Sequence, residues 1–160
     1  MTIILAADSD WAIGRDGGLL AHIPEDMKFF RETTANSTVV MGRKTWESIG
    51  AKPLPGRVNR VISRSVKQLD GAQVFGSVEE FLGFAEKAEG KVFVLGGGEI
   101  YRELLPYCGE AFITRIYESF NGDVFFTDLE HDRDWEIVET SPVMSSECRN
   151  IRFFHYIRKK

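Results

Sequence analysis

Twice in 160 residues a short β-branched run ends in glycine and passes directly into a helical pattern. The first is Ser37-Thr38-Val39-Val40-Met41-Gly42, followed by Arg43 to Ile49. The second is Lys91-Val92-Phe93-Val94-Leu95, followed by Gly96-Gly97-Gly98 and Glu99 to Leu105. Runs that are apolar at nearly every position fit strands covered on both faces, as in a parallel sheet whose crossovers are helices. Thr2 to Ala7 and Val58 to Ser63 read the same way, and Val74-Phe75 fits a short strand. Ser77-Val78-Glu79-Glu80 resembles a capping box, opening a helix buried through Phe81, Leu82 and Ala85. After Ala111 the pattern changes. Ala111 to Tyr117, Trp135 to Glu139 and Ile151 to Ile157 read as strands separated only by turns. The expected fold is therefore α/β, a mostly parallel central sheet with antiparallel C-terminal edge strands, flanked by about four helices. Residues 1–160 are read as one domain, long enough to bury a core.

A net charge of −4 argues against non-specific attachment to nucleic acid or an anionic membrane. No stretch approaches the ~20 apolar residues of a membrane helix. Cys108 and Cys148 lie far apart, and His22, His131 and His155 are scattered, so no metal site or redox motif is expected. A cytoplasmic, reduced, metal-free protein follows.

The chemistry is expected around Ile23 to Arg31. Pro24 suits a first helical turn, where Glu25 and Asp26 meet the positive end of the helix dipole. On such a helix Asp26 shares a stripe with Phe30 and Thr33, beside Met27. One carboxylate among apolar groups suits a flat, partly polar ligand; Asp26 as a mere dipole complement is the alternative. Asp8 to Ala21 is a long glycine-containing loop, either functional or a plain surface loop. Arg43 and Lys44 stand in a first helical turn, where cations are unfavourable unless an anion joins them; solvated cations are the other reading. Arg57, after Pro53-Leu54-Pro55-Gly56, has a fork that suits a carboxylate, and Ser63-Arg64 at a strand end suits a phosphate. Gly96-Gly97-Gly98 before a helix forms a diphosphate cradle, although its spacing is not G-x-G-x-x-G.

Taken in order, Ile13-Gly14, Pro24-Glu25-Asp26, Val40 to Ile49, Pro53 to Arg57, Leu95 to Tyr101, Thr114 and Gly122 to Phe126 resemble the dihydrofolate reductases, bacterial chromosomal type, over essentially the whole chain. The resemblance implies NADPH-dependent reduction of 7,8-dihydrofolate to tetrahydrofolate, with hydride to C6 and a proton to N5. It implies an antifolate-binding monomer in one-carbon metabolism. Asp26 would be the catalytic carboxylate, binding the pterin 2-amino group and N3, with Thr114 steadying it. Ile4, Leu5, Met27, Phe30, Ile49, Leu54 and Leu95 would complete the substrate site, and Arg57 would take the glutamate α-carboxylate. Ala6, Ile13, Gly14 and Leu19 would flank the nicotinamide. Gly42, Arg43, Lys44, Thr45, Ser63 and Arg64 would hold cofactor phosphates, and Gly96, Gly97, Gly98, Glu99, Ile100 and Tyr101 the diphosphate. A cis Gly96–Gly97 bond is implied as well. The presence of two arginines favours NADPH over NADH.

Two departures stand out. Where the family usually has Pro-Trp before the helix, this chain has Leu20-Ala21, and so lacks the indole N–H that would hold a water near the pterin. One extra residue near Ala51-Lys52 is expected to shift the approach to the substrate tail.

Overall fold

The computed structural model describes residues 1–160. The elements follow the order β1 (Thr2–Ala7), β2 (Ala12–Gly14), α1 (Pro24–Thr34), β3 (Thr38–Gly42), α2 (Arg43–Ser48), β4 (Val58–Ile62), β5 (Gln73–Phe75) and α3 (Val78–Ala85). Then come β6 (Val92–Val94), α4 (Gly98–Leu104), a 3-10 turn (Leu105–Tyr107), β7 (Glu110–Ile116), β8 (Val124–Phe125), β9 (Trp135–Thr140), β10 (Met144–Ser146) and β11 (Arg149–Arg158). The main sheet runs β10-β11-β7-β1-β6-β3-β4-β5, with β9 also paired to β11. Pairs from β7 across to β5 are parallel, and every pair involving β11 is antiparallel. That is the expected sheet with its antiparallel edge. β2 and β8, two strands not expected from the sequence, pair separately and give the Asp8–Ala21 loop a partner.

Alternation along the strands divides the core. Ile3, Leu5 and Ala7 join Val40, Ile62, Val94 and Ile113 on one face, where α3 and α4 contribute Phe81, Tyr101 and Leu104. Ile4, Val39, Met41, Val61 and Phe93 face the other way, with Trp46 of α2 and Phe29 and Phe30 of α1 packed on them. The capping box is half as expected. Ser77 Oγ accepts from the Glu80 N–H at 3.1 Å, but the Glu80 carboxylate reaches one residue further, to the Gly76 N–H at 2.8 Å.

Candidate active site

Asp26 is placed by α1 and held by β7. Pro24 opens the helix with no side-chain cap before it, and Asp26 lies in its first turn. Three and four residues on, Phe29 and Phe30 seat the helix on the sheet; the Phe29 ring lies 4.7 Å from Phe153 and 5.9 Å from Phe112. Thr114 is buried between Ala6 on β1 and Phe153 on β11. Its hydroxyl donates to Asp26 Oδ1 at 2.6 Å, across 88 residues of sequence. Burial raises the Asp26 pKa, and the Thr114 hydrogen bond pulls it partly back. Oδ2 makes no hydrogen bond within the protein. The result is a fixed carboxylate with Oδ2 wholly free and one lone pair of Oδ1 still open to a ligand.

Ile4, Phe30, Leu54 and Leu95 belong to one apolar cluster, with Phe30 one turn along α1 from Asp26. Leu5 differs: the two-residue period turns its side chain to the opposite face, so only its backbone remains on the Asp26 side. Met27 and Ile49 are 42% and 36% exposed, open apolar surface that a ligand could cover. Arg57 is steadied by Nε donating to the Pro55 carbonyl at 3.0 Å and Nη1 donating to Thr34 Oγ1 at 3.1 Å. Its guanidinium lies 5.8 Å from the Phe30 ring centroid, and Nη2 has no protein partner. Burial, and then nearby Arg31, lower its pKa, an environment that favours an incoming anion. Beside Ala51-Lys52 the chain turns sharply, with Gly50 and Ala51 both at positive φ, 93° and 54°.

The second half of the site lies where β3 and β6 end side by side. The Gly42 N–H donates to the Gly96 carbonyl at 2.8 Å, which draws the starts of α2 and α4 together. The Gly96–Gly97 bond is cis, as expected. Gly96 has φ 112°, and a Cβ there would meet the Tyr101 ring at 2.9 Å. On Gly98 a Cβ would meet Val124 at 2.5 Å. Both helices begin after a glycine with no side-chain cap, so their first N–H groups have no intrahelical partner. Thr45 Oγ1 stands near Gly97, and Lys44 is exposed without an ion pair. Arg43 is bound at 2.7 Å to Glu47 of its own helix, and Arg64 lies 3.5 Å from Glu99 in a well-exposed pair. Ile100 lies over Gly42. Two residues turn inward. Ser63 is buried and its hydroxyl accepts from the Ser65 and Val66 N–H groups, because the chain needs that oxygen to make its own turn. Tyr101 is buried with its hydroxyl donating to the Ile4 carbonyl at 2.9 Å, and burial, with the Asp26 charge, holds its pKa far above the ordinary phenol range.

The glycine-containing loop is pinned. The Asp123 N–H donates to the Gly14 carbonyl at 2.9 Å, and Asp123 Oδ2 accepts from the Asp16 N–H at 3.0 Å. Ile13 packs on the main core, whereas Leu19 is 82% exposed. Ala21 and Ala6 pack with Phe153 against Ile23, Ile116 and Ile151, next to the Thr114–Asp26 pair. Ala21→Trp is expected to change the affinity for a diaminopyrimidine inhibitor by about tenfold, the scale of one added aromatic contact. NADPH affinity should barely move. Calorimetric titration of both ligands checks this; equal effects count against it.

Several positioning residues gave little sign of themselves in sequence. Asn59 is buried, and its amide bonds Leu54 N–H, Leu54 carbonyl and Arg57 carbonyl at 2.9–3.1 Å, so β4 shapes the Pro53–Arg57 turn. Thr34 and Phe153 likewise act on partners remote in sequence. An asparagine two residues after Arg57 was the one available cue.

Comparison with known proteins shows the family. The family model described as dihydrofolate reductase matches residues 1–159. A dihydrofolate reductase of Neisseria meningitidis is 38% identical over 159 residues, covering 99% of this chain and 98% of that one. The Staphylococcus aureus enzyme of that name is 35% identical over 163 residues, covering 100% and 99%. Among solved structures, dihydrofolate reductase from Enterococcus faecalis complexed with NADP(H) and RAB-propyl superposes with a TM-score of 0.90. It has 38% sequence identity, and the match covers 99% of this chain and 96% of that one.

Proposed function

The chain belongs to the dihydrofolate reductase family and carries out NADPH-dependent reduction of dihydrofolate to tetrahydrofolate; from that premise we propose how its own residues divide the work. The observation that carries the assignment is Asp26, half-buried, with one oxygen held by Thr114 and the other free. A carboxylate is acceptor-only and matches two adjacent N–H donors, which is what the 2-amino group and N3 of a pterin present. Asp26 binds and polarises that edge, and a water delivers the proton to N5. Ile4, Phe30, Leu54 and Leu95 supply the apolar wall, with Met27 and Ile49 closing over the ligand. Arg57 takes the glutamate α-carboxylate through its free nitrogen, and Asn59 holds the turn that aims it.

The cradle at the ends of β3 and β6 fits a dinucleotide. Uncapped N–H groups of two helices converge there with Lys44, Arg43 and Arg64, and glycines let the backbones approach. Those residues, with Thr45, would hold the phosphates. When bound, NADPH supplies the hydride. Ala6, Ile13, Gly14 and Leu19 would border the nicotinamide and exclude water from it. We also read residues 1–160 as one domain, because one nine-stranded sheet draws its strands from Thr2 through Arg158. The work belongs in the cytoplasm, where NADPH is kept reduced and both free cysteines stay thiols.

The direct test is dihydrofolate-dependent loss of NADPH absorbance, with dihydropteroate as the substrate lacking glutamate. Turnover of both, with a higher KM for dihydropteroate, is expected; no turnover of either would overturn the assignment. Thr114→Val tests the carboxylate's support. It removes a hydrogen bond that lowers the Asp26 pKa, so the Asp26-dependent inflection of the pH–rate profile should move to higher pH. An inflection that stays in place excludes that role for Thr114.

A further inference from the structure

Thr114 has a neighbour whose role is not absorbed by the site. Arg115, the next residue of β7, points to the opposite side of the strand and is only 8% exposed. Its Nη2 donates to the carbonyls of Asp8 and Ser9 at 3.2 and 3.4 Å, where β1 turns into the loop that runs to Ala21. Its guanidinium carbon lies 4.1 Å from the Trp11 ring centroid, within cation–π range. Nη1 lies 3.6 Å from Glu130, and the buried Nε has no partner. An arginine this buried, with one distant and exposed counter-charge, is not placed there for ion pairing.

Trp11 is as unusual. Its φ is 61°, a left-handed conformation that a bulky side chain rarely adopts and glycine takes freely. The turn itself does not need tryptophan. What the side chain adds is the stack on Arg115 and a contact with Phe126, 6.4 Å between ring centroids. Strained positions of this kind persist where the surroundings over-determine them. Here they do: buried Asp8 accepts from the N–H groups of Asp10 and Ala12 through Oδ1 and of Phe120 through Oδ2, at 2.8–3.0 Å. From this root the chain continues through Gly14 and Leu19 to α1 and Asp26.

We propose that Arg115 and Trp11 clamp the root of the 8–21 loop, so that β7 sets both Asp26, through Thr114, and the loop that would border the nicotinamide, through Arg115. Both are positioning residues for hydride transfer, and the inference rests on the reductase reading given above.

The test compares Arg115→Met, Trp11→Gly and the conservative Arg115→Lys with the parent enzyme. The readouts are kcat, KM for dihydrofolate, the primary isotope effect with NADPH deuterated at the transferred position, and thermal stability. Trp11→Gly keeps the backbone conformation and removes the stack, so it remains informative if Arg115→Met does not fold. A loosened loop root is expected to lower kcat about tenfold, the scale of a small misplacement far from the chemistry. The isotope effect on kcat should rise while KM stays within about twofold, because the substrate contacts are untouched. Arg115→Lys should recover part of kcat. Variants that lose stability but keep parental kcat and isotope effect per folded molecule overturn the clamp alone. A parent protein without dihydrofolate-dependent NADPH oxidation overturns the reductase reading, and the clamp with it.

Discussion

Asp26→Asn is expected to lower kcat by about a hundredfold or more near neutral pH, the usual scale for losing a positioned acid–base group. The amide keeps the shape but cannot carry the negative charge proposed to polarise the pterin edge. The loss should shrink at acidic pH, where solvent protonates the substrate without help. A pH–rate profile identical to the parent's would exclude this role. The same substitution should stabilise the fold. Burial raises the Asp26 pKa, so the folded state holds a proton more tightly than the unfolded chain does. Stability is therefore lost as pH rises from the ordinary carboxylate range through the folded-state pKa. Asparagine escapes that penalty. The variant's melting temperature should exceed the parent's near neutrality, and the gain should vanish once pH falls below the unfolded carboxylate's pKa. Chemical denaturation at two pH values measures this directly; an Asp26→Asn protein less stable than the parent at neutral pH would contradict it.

Arg57→Gln is expected to raise KM for dihydrofolate by about 10- to 100-fold, the range for a charge-assisted hydrogen bond of about 1.5–3 kcal/mol. The kcat at saturation should change little, since the tail is remote from C6 and N5. With dihydropteroate, which has no glutamate, the parent and variant should behave alike. Equal losses on both substrates would show instead that Arg57 acts by holding the 53–57 turn through Pro55 and Thr34.

The strands were legible because buried parallel strands are apolar at nearly every position, and the glycine-to-helix junctions because only backbone chemistry is involved. Asp26, Arg57 and the Gly96 turn were legible through motifs, and the structure brings Asp26 to Thr114 and Gly42 to Gly96. The resemblance places Ser63 and Leu5 at ligands, yet the Ser63 hydroxyl serves its own turn and Leu5 faces the opposite core. Both outcomes hang on one residue of register or one local hydrogen bond. Asp8 and Arg115 carry no such signal in the sequence, because charged residues next to a loop ordinarily lie in solvent. Their burial depends on backbone groups more than 100 residues away in sequence.

The order of strands and helices, the glycine junctions and the single carboxylate on an apolar helix face can all be read along the chain. They follow from periodicity, φ preferences and capping, which act within a few residues. Three features arise only on folding. Asp26 becomes half-buried with a raised pKa, Thr114 takes one lone pair of its carboxylate, and Arg115 donates to the Asp8 and Ser9 carbonyls at the root of the 8–21 loop. The energy of a charge depends on what surrounds it, and here the surroundings come from strands far along the chain.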